Sequence, residues 1–152
     1  MSPSIEFSPR FKFADWPNRA VPNRTPGVYL VWENETFVYA GMSGRGFDPE
    51  VAATRQRYGL VTRLASHAAG RLSGDQFCVY VANRLVIPSL TPEDLQRFAH
   101  GELTLDRLTR QYIHTRFEYQ FCVCATGEEA FRLENALLQG EMLGVKPLLN
   151  PR

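Results

Sequence analysis

The sequence predicts an α+β fold, with a small, mostly antiparallel sheet flanked by helices. Three observations carry that expectation. Residues 27–32 (GVYLVW) and 37–41 (FVYAG) are short β-rich runs around Glu33-Asn34-Glu35-Thr36, the form of a hairpin. Apolar residues recur at helical spacing over 59–72, and again in the run that follows Thr126. The order along the chain reads ββαβ, a helical insert, then βα.

Taken in order, residues 1–26 hold Pro3, Pro9, Pro17, Pro22 and Pro26 among Phe7, Phe11, Phe13 and Trp16, so they read as an aromatic arm packed on the domain. Residues 27–152 then form a single domain with an insert at about 86–116. Gly44, Gly46 and Pro49 mark a loop after the hairpin. Over 59–72, Leu60, Val61, Leu64, Ala68 and Leu72 share one helical face. Residues 77–87 (FCVYVANRLVI) read as a third strand. Thr91-Pro92-Glu93-Asp94 is a helix start, with a Thr cap, Pro at the first position and acids in the first turn; that helix stops near Gly101, and another follows over about 104–113. Residues 117–125 set Phe117, Tyr119, Phe121 and Val123 on one face against Glu118, Gln120, Cys122 and Cys124. Thr126-Gly127-Glu128-Glu129 has capping-box form and opens a helix to about Leu143.

At 152 residues the chain is long enough to bury roughly 68–70% of its unfolded surface, and its 44% hydrophobic content needs no disulfide scaffold. No run approaches the ~20 apolar residues of a membrane span, and Met1-Ser2-Pro3-Ser4-Ile5-Glu6 lacks a signal-peptide core, so a cytoplasmic protein without a membrane partner is expected. Cys78, Cys122 and Cys124 read as small buried apolar residues rather than a metal or disulfide set. Net charge is only +1. The stretch 42–84, however, carries six arginines (Arg45, Arg55, Arg57, Arg63, Arg71, Arg84) against Asp48, Glu50 and Asp75. Arginine pairs bidentately with phosphate, which makes Arg45, Arg55, Arg57 and Arg71 candidate substrate-binding residues.

Chemistry-bearing residues cluster by position. Tyr29 and Tyr39 share a face of the hairpin only if opposed residue numbers sum to an even number, which asks for a three- or five-residue loop, for example Glu33–Glu35 with one bulged residue. Arg63 and His67 stand i,i+4 on one helix face, where one could clamp a phosphate and the other relay a proton. Glu134 has Ala130, Phe131, Leu137 and Leu138 as helical neighbours, a setting in which a carboxylate is costly unless paired or metal-bound. Each residue alone has a structural alternative: ordinary strand tyrosines, a solvated helical pair, a Glu–Arg salt bridge.

In order and spacing, Gly27-Val28-Tyr29, Tyr39-Ala40-Gly41, Arg63-xxx-His67, Glu134 and Pro147-Leu148-Leu149-Asn150 resemble the catalytic framework of the GIY-YIG nuclease family, over Gly27 to Asn150. The resemblance implies a standalone or restriction-type endonuclease that hydrolyses phosphodiester bonds in DNA, with RNA an open alternative. It implies one divalent ion per site, Mg²⁺ or Mn²⁺, held by Glu134, and a homodimer if both strands are cut. Its implied catalytic set is Tyr29, Tyr39, Arg63, His67, Glu134 and Asn150. Tyr29 would activate water with support from His67 and Tyr39, and Arg63 would neutralise charge on the phosphate. The chain departs from the family pattern in reading Tyr-Ala-Gly for Tyr-Ile-Gly, in the long connection Met42–Gly59, and in the insert, which is expected to be a helical appendage contacting substrate or a second subunit. The competing class is a silent nucleic-acid- or partner-binding module of the same fold; a third is an unrelated α+β domain.

Overall fold

Two neighbouring strands can share a hairpin and still set chosen side chains on one face if one residue bulges, and this chain does so. In the computed structural model, which describes residues 5–54 and 58–151, strand β1 is Phe11–Lys12, β2 is Gly27–Glu33, β3 is Thr36–Ser43 and β4 is Glu118–Val123. All pair antiparallel in the order β1-β4-β2-β3, so the α+β class holds. The helices are α1 (Pro49–Thr54), α2 (Leu60–Ala69), α3 (Gln76–Val81), α4 (Pro92–Ala99), α5 (Leu105–Arg116) and α6 (Gly127–Leu138). None among the described residues is long and apolar enough to cross a membrane.

The hairpin corrects the loop expectation. Glu33 opposes Thr36 across a two-residue turn in which Asn34 adopts φ 52, a left-handed conformation that Asn tolerates. Parity then shifts between Val31 and Trp32: Trp32 opposes Phe37, whereas Val31 opposes Tyr39, leaving Val38 as the extra residue. The bulge, not a longer loop, brings Tyr29 and Tyr39 onto one face.

β2 is one of the two inner strands, with β4, and is buried on both sides. Tyr29 and Val31 join Val38, Tyr119, Phe121 and Phe117 under α2, α3 and α5, while Val28 and Leu30 join Ala40, Cys122 and Cys124 under Ala130, Leu133 and Leu137 of α6. All three cysteines are free and buried. From the N-terminal arm, Phe11, Phe13 and Trp16 surround Tyr119 with ring centroids 5.9, 4.7 and 5.9 Å away.

Residues 77–87 are not a strand. They form α3, a π-helical turn over Ala82–Val86 and a 3₁₀ turn over Ile87–Ser89. The buried positions Phe77, Cys78, Val81, Ala82 and Val86 follow a helical period, and Asp75 caps the start by accepting the Cys78 N–H at 3.0 Å. β-branched composition had masked both signals, and the fourth strand comes instead from the arm. α6 is also shorter than expected: Gly140, at φ 79, closes it after Leu138. Its Thr126 cap accepts the Glu129 N–H, but the Glu129 carboxylate returns to the N–H of Ala125 rather than Thr126.

The insert is not a separable appendage. α4 begins with the Thr91/Asp94 capping box and buries none of its residues, but α5 buries Thr109 and Ile113, packs on α2 and α3, and donates from His114 Nε2 to the Ala68 carbonyl at 2.6 Å. Burying one such aliphatic side chain stabilises by roughly 1.5–3 kcal/mol, so α5 belongs to the core.

Candidate functional site

The site begins with a glycine. Tyr29 lies flat across β3, and a Cβ built on Gly41, its cross-strand partner, would fall inside the van der Waals radius of the Tyr29 hydroxyl. Tyr39 lies beside it, with ring centroids 6.3 Å apart.

From the Tyr29 hydroxyl a chain of hydrogen bonds runs into the protein. Tyr29 Oη is 2.7 Å from His67 Nε2, and His67 Nδ1 is 2.7 Å from Asp75 Oδ2. The same Asp75 oxygen accepts the Ser66 hydroxyl at 2.7 Å, while Oδ1 holds the Cys78 N–H. A carboxylate only accepts, so Nδ1 carries the His67 proton, Nε2 presents its lone pair, and Tyr29 donates to it. Helix α2 aims His67 inward because Leu60, Leu64 and Ala68 bury the same stripe. Phe77 packs on the imidazole at 4.5 Å between centroids, and Tyr39 meets it edge-on.

Protonation follows from burial. Desolvation, with the neighbouring Tyr39, raises the Tyr29 pKa well above its ordinary value, and Arg63 pulls it partly back. Tyr39 is pushed up to about 12 by burial and by Glu134. Burial lowers His67, against the pull of Asp75, and so keeps the imidazole neutral. Burial alone would raise Asp75, but the bonds from His67, Ser66 and the Cys78 amide outweigh it and hold the carboxyl at about 2. Phenol, neutral imidazole and carboxylate form a self-consistent set.

The outer wall is charged. Glu134 sits beside the buried stripe of α6 (Ala130, Leu133, Leu137), on the helix covering the opposite face of the sheet from α2. It nevertheless lines the same pocket as Tyr29, Tyr39, Gly41, Met42, Arg63, His67, Asp75, Gln76 and Phe77. β3 is an edge strand, paired by Leu148 and Leu149 only at Phe37 and Val38, and Glu134 reaches the pocket at the Gly41–Met42 end beyond that cover. Burial raises its pKa, while Arg63, Arg45 and the Met42 amide counter the rise. The ion pairs among the described residues are His67–Asp75, Arg97–Glu102 and Arg116–Glu33, so Glu134 is not consumed in a structural salt bridge.

Five of the six expected catalytic residues therefore meet. Asn150 does not line the pocket. Its amide bonds both the N–H (3.0 Å) and the carbonyl (2.9 Å) of Ala40, continuing the Leu148–Leu149 pairing along the β3 edge; it holds the strand between Tyr39 and Gly41 in place. Of the arginines expected to bind substrate, Arg45 stacks its guanidinium 4.1 Å over the Phe131 ring, one turn before Glu134. Arg71, exposed beyond the end of α2, does not line the pocket, and Arg55 and Arg57 lie outside the described residues. The residue that sequence reading missed is Asp75. Its signal was a Gly74-Asp75 helix start before the Phe77/Cys78/Val81/Ala82 period.

As for a metal, no three His, Cys, Asp or Glu side chains converge among the described residues. Glu134, a half-buried carboxylate outside the ion pairs found among the described residues and lining an open pocket, does suit a hard cation that completes its shell with substrate phosphate oxygens and water. Comparison of the chain with protein-family models, with curated proteins and with solved structures gave no match.

Proposed function

We propose that this protein is a metal-dependent endonuclease of the GIY-YIG type, hydrolysing phosphodiester bonds in DNA. One observation carries the reading: residues as distant as Tyr29 and Glu134 line a single pocket in which a tyrosine hydroxyl is bonded to a neutral imidazole and a carboxylate stands outside any ion pair among the described residues. A packing role does not require that arrangement.

Tyr29 is too weak an acid to stand as a phenolate at neutral pH, and burial weakens it further. It can act as a base only while giving up its own proton, and the Nε2 lone pair 2.7 Å away is placed to take it. Water activated at the Tyr29 oxygen attacks phosphorus, Arg63 at the pocket mouth neutralises charge growing on the phosphate, and Tyr39 walls the imidazole from solvent. Glu134 is the residue that would hold Mg²⁺ or Mn²⁺, and such an ion would supply charge neutralisation at the phosphate and its leaving oxygen.

The near-neutral charge of the chain, +1, favours a second reading, a module that binds without cutting. Supercoiled plasmid separates the two. The nuclease nicks it with Mg²⁺ or Mn²⁺, stops on chelation, and loses at least ~10²-fold in rate in Tyr29→Phe. DNA retention in a gel shift with no nicking under either ion favours the silent module.

A further inference from the structure

We infer that Asp75 is a positioning residue for the hydrolytic step, fixing His67 as the Nδ1–H tautomer so that Nε2 faces Tyr29 as a proton acceptor; this rests on the nuclease reading above. The geometry is specific. Asp75 and His67 are 5% and 3% exposed, and the 2.7 Å contact between them at Nδ1 is continued across the ring by the 2.7 Å contact from Nε2 to Tyr29. Both carboxylate oxygens are used: Oδ2 for His67 and Ser66, Oδ1 for the first turn of α3. The helix cap anchors the carboxylate, and the carboxylate orients the imidazole.

In the reaction, a water proton passes to Tyr29 Oη as the Tyr29 proton passes to His67 Nε2. The hydroxide oxygen bonds to phosphorus, the P–O bond to the leaving group breaks, and the leaving oxygen takes a proton from solvent. The imidazolium left at His67 faces the Asp75 carboxylate until it returns its proton to bulk water, so the net change is one water consumed per bond cut. Without Asp75 the imidazolium would form in a buried site with no counter-charge.

The competing role for Asp75 is only to cap α3, and Asp75→Asn separates the two. To keep the cap, the amide oxygen must stay on the Cys78 N–H. That turns the NH₂ toward His67 Nδ1, moves the ring proton to Nε2, and closes the acceptor facing Tyr29. The experiment joins plasmid nicking, thermal melts and the imidazole ¹⁵N spectrum, with His67 assigned by its loss in His67→Gln. The expected result is Nδ1–H in the parent, Nε2–H in Asp75→Asn with a cooperative melt, and nicking reduced at least ~10²-fold. Nε2–H in the parent, or nicking within about threefold of the parent in Asp75→Asn, overturns the inference. If Asp75→Asn does not fold, the parental spectrum decides. If the parent cuts no DNA the nuclease reading falls, and the same spectrum still decides how Asp75 sets His67.

Discussion

Tyr29, His67 and Asp75, along the inner wall of the pocket, are buried and hydrogen-bonded in series, whereas Arg63 and Glu134, on the outer wall, have no partner within ion-pair distance among the described residues. The inner wall is held by packing: Phe77 on the imidazole, Gly41 beneath the phenol, the α3 cap behind the carboxylate. A group so placed can keep a proton-transfer distance short, and beyond the lone pairs of Tyr29 Oη, which can accept from one water, it offers little with which to hold a ligand. The outer wall is the reverse. Substitutions on the inner wall should therefore disturb structure and chemistry together, and substitutions on the outer wall chemistry alone.

Glu134→Gln is the sharpest way to break that contrast. Its shape and packing persist and only the charge goes, so the variant should fold, bind DNA as the parent does, and nick plasmid at least ~10²-fold more slowly. Its melting temperature should be unchanged or slightly raised, because burial already disfavours the carboxylate. A Gln variant that nicks at the parental rate removes Glu134 from the mechanism; one that melts much lower makes it a structural residue.

The two walls also differ in how far the sequence revealed them. Arg63, His67 and Glu134 were legible because helical spacing puts i,i+4 residues together and makes a carboxylate beside an apolar stripe conspicuous. Tyr29 and Tyr39 were legible as a parity demand, but the bulge at Val38 that meets it has no sequence mark. Asp75 was hidden by a secondary-structure error. Reading 77–87 as a strand put Asp75 in a connecting loop, and only the helix makes it a cap whose second oxygen faces α2. Asn150 was found but misplaced, since nothing local says that an amide will pair with the Ala40 backbone. α5 was seen as a helix and mistaken for an appendage, because burial at Thr109 and Ile113 depends on partners at α2 and α3.

Gly41→Ala tests the inner wall from beneath. The new methyl would occupy the space of the Tyr29 hydroxyl and Cζ, so the ring must move or the strands must part. Overpacking of this kind costs about 1–3 kcal/mol, and a displaced hydroxyl leaves His67 Nε2 buried without its donor. Denaturant melts should show that loss alongside reduced nicking, whereas Glu134→Gln shows reduced nicking alone. If Gly41→Ala keeps parental stability, the phenol is not packed against β3 as described.

The smallest effect concerns acid stability, where the inner wall predicts a direction. The His67 pKa lies below its ordinary 6.5, so the neutral ring favours the fold, and stability is lost as pH drops below that value. Asp75, held at about 2 against an ordinary 3.8, contributes stability that is present above pH 4 and disappears as pH falls toward 2, on the order of 2 kcal/mol at ~1.4 kcal/mol per unit. Both act in one direction: stability holds above neutrality and falls on acidification. Asp94, lowered by its capping-box bonds to Thr91, moves the same way and belongs to the background. Urea melts of the parent and of Asp75→Asn at pH 7, 5 and 3 isolate the inner wall as the difference between their pH slopes. The stability gap between them should narrow between pH 5 and 3, where the unfolded parent takes up a proton on a carboxylate that the variant lacks while the folded parent stays ionised. A gap that widens on acidification would mean that the Asp75 carboxyl is already protonated at neutral pH, and the bonds assigned to it would then have to be redrawn with a proton between Asp75 and His67.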